Sequence, residues 1–153
     1  MNLAERCLLN KGHEKDSIIV CKDAHGESQS QYRLINNLNR IVQKYDLDGC
    51  LIKENNTERC DFLLIVPAEN KTRAVFIELK GKKFLKAVSQ VNNSIEQLNP
   101  ATSQYNIFGR IIMSAAPKLQ GPAYIRLLEK TTKSGGNLII KSKIIAEQIG
   151  ELL

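Results

Sequence analysis

Two continuous apolar runs joined by a short polar loop constrain the fold of this chain more than any other feature. The runs span residues 62–66 and 74–77, and each has the length of a β-strand and contains no polar residue, which is typical of a buried strand. Residues 67–73 between them are mainly polar and contain turn-forming types, so the simplest arrangement is an antiparallel hairpin. We predict a symmetric hairpin in which Val66 pairs with Arg73.

The register of this hairpin places two carboxylates opposite each other. Counting away from the loop, Asp61 pairs with Glu78, and opposed side chains share a face, with their Cβ atoms roughly 4.5–5.5 Å apart. Lys80 follows Glu78 by two residues, so the alternation of side chains along a strand places it on the same face. The three side chains are therefore predicted to converge, and a slip of one residue in the register would separate them.

This convergence suits the hydrolysis of a phosphodiester. Two neighbouring carboxylates repel each other unless a cation lies between them, and oxygen ligands of this kind bind Mg²⁺. A metal ion there stabilises charge on a phosphate and lowers the pKa of a bound water, and a lysine beside it can orient that water or help to deprotonate it. We therefore predict a metal-dependent nuclease with Asp61, Glu78 and Lys80 as its catalytic residues and Mg²⁺, or alternatively Mn²⁺, as its cofactor. A charge pair exposed at a sheet edge is the structural alternative for Glu78 and Lys80.

The same residues resemble the motif of the PD-(D/E)xK nuclease superfamily, which includes restriction endonucleases and Holliday-junction resolvases. Asp61 is followed by Glu78-Leu79-Lys80 at the end of a strand, and Cys60 takes the place of the proline of the motif. The resemblance implies that Asp61 and Glu78 bind Mg²⁺, that the Leu79 carbonyl is a further ligand, and that Lys80 acts on the attacking water.

The resemblance covers about residues 25–115 and implies a restriction-endonuclease-like core with the element order αβββαβ. The superfamily often has an acid on the helix before the sheet and a glutamine on the helix after it. Glu27 and Gln90 are the residues of this chain that take those positions. Glu27 has an alternative role, because an acid just before a helix interacts favourably with the helix dipole, and Gln90 can equally be a surface residue.

Lysines follow the carboxylates directly along the chain. The protein carries 22 basic and 16 acidic residues, a formal net charge of +6, and such an excess suits a polyanionic partner. Lys82, Lys83 and Lys86 lie just beyond Lys80, and we expect them to bind the phosphates of a nucleic acid, DNA in preference to RNA. A lysine-rich surface that contacts only solvent is the alternative interpretation.

Two other classes of function fit the same sequence. One is a nucleic-acid-binding module that keeps the fold without catalytic activity. The other is a protein-interaction partner, of a regulatory or immunity type, in which the carboxylates contact another protein. Because cutting both strands of a duplex often requires two copies of one site, a homodimer is a further expectation.

The remaining pattern predicts an α/β fold with a mixed central β-sheet flanked by helices, in a single domain over residues 1–153. A strand, a helix and a second strand over residues 74–113 require a crossover, which predicts a parallel pair of strands. The predicted strands outside the hairpin cover residues 17–21, 50–52, 107–113 and 137–140. The predicted helices cover residues 28–44, 83–98, 121–133 and 142–152.

The cysteines and the hydropathy pattern indicate the cellular setting. Cys7, Cys21, Cys50 and Cys60 show no CxxC spacing, so we predict reduced core residues rather than a zinc site or a disulfide. The sequence contains no apolar run near the roughly 18 residues that a membrane span needs, and its first residues lack the pattern of a signal peptide. We therefore expect a cytoplasmic protein without a membrane partner.

Overall fold

The computed structural model describes residues 3–23, 30–53, 58–81 and 83–153, with the backbone alone at residues 80 and 81. Within these residues the chain forms strands, α-helices and a short 3₁₀ helix near each end. The strands are β1 (Ile18–Lys22), β2 (Gln31–Ile35), β3 (Gln43–Asp46), β4 (Phe62–Val66), β5 (Arg73–Gly81), β6 (Asn106–Met113), β7 (Leu138–Ser142) and β8 (Ile144–Gln148). The α-helices are α1 (Phe84–Gln97), α2 (Asn99–Thr102) and α3 (Pro122–Ser134), and the 3₁₀ helices are Glu5–Cys7 and Ile149–Leu152.

The larger sheet has five strands in the order β3-β4-β5-β6-β7. Strands β3, β4 and β5 pair antiparallel, whereas β5, β6 and β7 pair parallel. The parallel pairs follow from the crossovers through α1 and α3, which return the chain to the same edge of the sheet. The predicted mixed sheet of an α/β fold is therefore confirmed.

Both faces of this sheet are covered, and that explains the continuous apolar runs. Leu63 and Phe76 belong to the core that α1 and α3 cover, whereas Leu64 and Val75 belong to a second core on the opposite face. Strands buried on both faces are apolar at every position instead of at alternate positions. The burial predicted for the two runs follows from this packing.

A smaller sheet, in the order β1-β2-β8, covers the second face. Strand β2 pairs antiparallel with β1 and parallel with β8, and Tyr32, Leu34 and Ile145 pack from it into the second core. The chain passes from the larger sheet to the smaller one between β7 and β8, at Lys143, whose φ is 68°. The protein is thus built as three layers, with helices, the larger sheet and the smaller sheet in that order.

A buried ion pair connects the two sheets. Arg110 of β6 and Glu147 of β8 are 0% and 4% exposed. The guanidinium donates to the two carboxylate oxygens at 2.7 and 3.1 Å, and the Tyr32 hydroxyl donates to the same carboxylate at 2.6 Å. Each charge therefore has a charged and hydrogen-bonded partner, which a buried ion pair needs in order to be tolerated.

The helix predicted over residues 28–44 is wrong. Residues 30–44 form β2, a turn and the first part of β3, because pairing with β1 and β8 outweighs the local helical spacing of apolar residues. The Asn36 side chain closes the turn: it donates to the Arg40 carbonyl at 2.8 Å and accepts from the Arg40 N–H at 2.9 Å. Side-chain bonds of this kind compete with helix formation.

The closing helix over residues 142–152 is also wrong. Its place is taken by the end of β7, by β8 and by a 3₁₀ turn, and burial along β8 alternates with a period of two. The apolar residues there fitted a helical spacing, but Glu147 must face inward to meet Arg110. Residues 50–52 form only an isolated bridge, between Asp48 and Ile52.

These corrections change the order of elements. In the described residues the hairpin is preceded by β1, β2 and β3, whereas the prediction had the strand over residues 17–21, a helix and one short strand. The predicted αβββαβ order is therefore not observed. The later part of it has a counterpart, because β3, β4 and β5 are followed by α1, α2 and then β6. In the described part of the chain, no helix has the length and apolar character that a membrane crossing requires.

Cys7 and Cys50 form a disulfide, with their Cα atoms 5.7 Å apart, so the expectation of four reduced cysteines is wrong. The reason is tertiary: Leu8 bridges to Tyr45 of β3, which brings the N-terminal segment beside the turn that holds Cys50. A separation of 43 residues in the sequence gives no sign of this contact. Cys21 and Cys60 are free and buried, as expected.

We expect reduction of the disulfide to lower the free energy of unfolding by about 3 kcal/mol, because the crosslink restricts the unfolded chain over a long loop. Urea unfolding of the wild-type protein with and without dithiothreitol measures the effect. The double variant Cys7→Ser, Cys50→Ser is the control, since the reductant should no longer shift its unfolding midpoint. Equal midpoints for the oxidised and reduced wild-type protein would contradict the expectation.

Candidate active site

The hairpin has the predicted register, and it brings the two carboxylates together. Val66 pairs with Arg73 and Phe62 with Ile77, and Asp61, the residue before β4, lies close to Glu78. The Asp61 N–H donates to the Ile77 carbonyl at 3.0 Å, one residue away from the Glu78 carbonyl that the register would give it, so the pairing becomes irregular at this end of the hairpin. Each carboxyl group influences the pKa of the other, and both lie on the face of the sheet that the helices cover.

Burial changes the protonation of both groups. Glu78 is only 5% exposed, and desolvation, followed by the charge of Asp61, raises the pKa of Glu78 to about 10. Desolvation also raises the pKa of Asp61 to about 6, against the opposing effect of the Leu79 N–H, which donates to the Asp61 carboxylate at 2.8 Å. Without a cation, the pair therefore retains a proton near neutral pH.

One oxygen of Glu78 is left without a hydrogen bond. Its Oε1 is buried, and none of the residues that the structure describes donates to it. A buried polar atom without a partner costs free energy. Two carboxylates with a spare oxygen aimed into a buried site are the hard donors that Mg²⁺ or Mn²⁺ prefers. The residues present therefore fit a divalent cation.

The backbone is irregular at the same point. Glu78 pairs with Ile111 and Gly81 with Met113, so β5 has one residue more than β6 over this stretch. Such a bulge interrupts the ladder and redirects the strand. It lies within the Glu78-Leu79-Lys80 motif, and the period-of-two argument that placed Lys80 on the face of Glu78 does not hold across it.

Several predicted site residues lie outside what the structure describes. These are Glu27, Lys82 and the side chain of Lys80. Leu79 is 1% exposed, with its side chain in the second core and its N–H bound to Asp61, and the role of its carbonyl as a metal ligand stays a prediction.

Gln90 contacts the segment before Asp61. Its side-chain amide donates to the Arg59 carbonyl at 3.1 Å. One turn further along α1, the buried Ser94 hydroxyl accepts from the Cys60 N–H at 2.8 Å and donates to the Gln90 carbonyl. Helix α1 thus holds the backbone that leads into Asp61. Ser94 was not predicted, because a serine within an amphipathic helix carries no sign of a tertiary partner.

A third acid influences the pair and was also missed. Asp48 follows β3 and raises the pKa of both Asp61 and Glu78 through its charge. It is half-exposed and forms an ion pair with Arg59. Among the described residues, no group of three acidic, histidine or cysteine side chains that could hold a metal is found. Only the pairing of β3 with β4 places Asp48 near the carboxylate pair.

The two remaining lysines of the predicted phosphate-binding group lie at the start of α1. Lys83 precedes the helix and Lys86 lies in its first turn, and both are exposed. The charge of Lys86 lowers the pKa of Glu78, though less than burial raises it. Lys86 is therefore electrostatically coupled to the carboxylate pair.

Comparisons of the chain with protein-family models, with curated proteins and with solved structures found no significant match. The case for a function therefore rests on the geometry of the site.

We expect Glu78→Gln to stabilise the metal-free protein at pH 8 by about 2 kcal/mol, because ionising a buried carboxylate beside another is costly. Because the pKa of Glu78 is raised on folding, the folded state binds more protons than the unfolded state. The wild-type protein therefore loses unfolding free energy relative to Glu78→Gln as the pH rises from about 4.5 towards 10. Unfolding free energies measured in EDTA across this range give the test. The exposed Glu129→Gln is the matched control, and a Glu78→Gln advantage that does not grow with pH would contradict the assignment.

We expect Ser94→Ala to lower the free energy of unfolding by about 1–3 kcal/mol, since the buried Cys60 N–H loses its acceptor. Ser89→Ala removes a hydroxyl from the same helix at a partly exposed position and serves as the control. Urea unfolding at one pH compares the two variants. A loss no larger than that of Ser89→Ala would show that this contact does not hold the segment.

Proposed function

We propose that this protein is a metal-dependent nuclease that hydrolyses phosphodiester bonds, with Asp61 and Glu78 as the carboxylates that hold Mg²⁺. One observation carries the proposal: Glu78 is buried beside a second carboxylate and one of its oxygens has no donor among the described residues. A fold retains such an arrangement at a cost, and a bound cation would remove the repulsion and supply the missing partner.

The chain's own residues set up the chemistry around this pair. Asp61 is held by the Leu79 N–H and by the anchored segment before it, so its carboxylate needs little reorganisation. Glu78 must lose its proton when the cation binds, which makes binding favoured at higher pH. When bound, the cation would stabilise charge on the phosphate and lower the pKa of a water. Lys80 is proposed to orient that water and to help remove its proton.

Several further parts of the proposal concern the setting. The resemblance to the PD-(D/E)xK superfamily and the net charge of +6 support a nucleic acid as substrate, with DNA favoured; a homodimer would be needed only if both strands of a duplex are cut. A cytoplasmic location also remains a proposal. The Cys7–Cys50 disulfide provides its test, because cytosolic thiols are normally kept reduced, and thiol labelling of the protein in intact cells would report its state.

We expect Lys80→Ala to reduce the rate of DNA cleavage in Mg²⁺ by at least about a hundredfold, the usual contribution of a positioned acid or base, while Mn²⁺ binding measured by calorimetry is retained. Glu78→Gln and Asp61→Asn should lose both the binding and the cleavage. Plasmid, single-stranded, branched and RNA substrates identify the preferred polymer, with Glu129→Gln as the control.

Undiminished cleavage by Lys80→Ala would refute the assigned role of the lysine. Metal binding that survives Glu78→Gln would refute the metal site. Nucleic-acid binding without cleavage in either metal would replace the nuclease with an inactive binding module.

A further inference from the structure

A groove of about 850 Å³ lies between the start of α1 and the segment 113–121 that follows β6, and one of its lining residues, Lys86, acts electrostatically on Glu78. Its position is that of ligand sites in α/β proteins, at the carboxyl ends of parallel strands. Gly81 and Met113, which pair at these ends, lie within a few residues of Glu78 and of the groove wall. The groove therefore begins where the bulged motif ends.

The walls of the groove combine cations with apolar surface. Lys83 and Lys86 lie on the α1 side and Lys118 on the opposite side, and no acidic residue is among the described residues that line it. Leu85 is 59% exposed, and the Phe84 ring is fixed by an aromatic contact with Tyr124 at 5.8 Å between centroids.

The combination of lysines and apolar side chains in the groove suits single-stranded nucleic acid better than a duplex. Lysines on both walls match the phosphates of either a single strand or a duplex. A duplex, however, keeps its base faces stacked inside and presents only sugar, phosphate and base edges. The exposed Leu85 and the fixed Phe84 ring would have no apolar counterpart on it. Unpaired bases offer such a counterpart, and proteins bind single strands by this combination of cationic groove and apolar contacts.

We propose that this groove binds a single strand of nucleic acid, with its phosphates on Lys83, Lys86 and Lys118 and its unpaired bases against Phe84 and Leu85. The proposal rests on the proposed nuclease function and specifies its substrate class. The strand would leave the groove at the carboxylate pair, so the bond to be cut belongs to a single-stranded region or to a junction between single strand and duplex.

Fluorescence anisotropy of the full chain in EDTA tests the groove apart from catalysis. The probes are a labelled single-stranded DNA oligonucleotide and a blunt duplex of the same sequence at fixed salt. We expect tighter binding of the single strand. Lys118→Ala should weaken it about three- to tenfold, whereas Lys133→Ala, an exposed lysine at the far end of α3, should weaken it by less than about twofold. Leu85→Ser should weaken single-strand binding and leave duplex binding unchanged.

Tighter binding of the duplex by the wild-type protein, equal losses in the two lysine variants, or unchanged single-strand binding by Leu85→Ser would overturn the groove assignment. The result is separable from that of the nuclease. Single-strand binding with the expected variant pattern but no cleavage in any metal retains the groove and removes the nuclease. Cleavage that depends on Glu78 but is indifferent to Lys118→Ala and Leu85→Ser retains the nuclease and removes the groove.

Discussion

The pairing of β4 with β5 is the constraint on which the rest of this structure depends. Helices cover one face of these strands and the smaller sheet covers the other, so a shift of one residue would exchange the two cores and is strongly disfavoured. With the register fixed, Asp61 and Glu78 have no freedom to separate. Their proximity is therefore imposed by the packing of the apolar residues between them and the loop.

Two buried pairs of charged residues show how differently the fold treats such groups. Arg110 and Glu147 have opposite charges, a bidentate contact and a tyrosine hydroxyl, and they join the two sheets. Asp61 and Glu78 have the same charge, share a proton and leave one oxygen without a described donor. The first pair is explained by the structure alone, whereas the second is the basis of the proposed cation site.

The hairpin, its register and the helices α1 and α3 were predictable because they depend on contacts that are close in sequence. The helix predicted over residues 28–44 failed for the opposite reason, since β2 is stabilised by β8, more than a hundred residues away. The expectation of reduced cysteines failed for the same reason, because Cys7 and Cys50 meet only once the N-terminal segment packs on β3. Helical spacing and cysteine spacing are local signals and carry no information about such partners.

By itself, the sequence determined two uninterrupted apolar strands joined by a short loop, and a symmetric hairpin built from them predicts that Asp61 and Glu78 meet. Only the tertiary structure decided the environment of that pair. Burial between the layers raised both pKa values, Ser94 fixed the approaching backbone, and Asp48 was brought close by the pairing of β3. The bulge after Glu78 arises from the match with β6. These features depend on which distant segments pack together, and that is settled by the burial of the whole core.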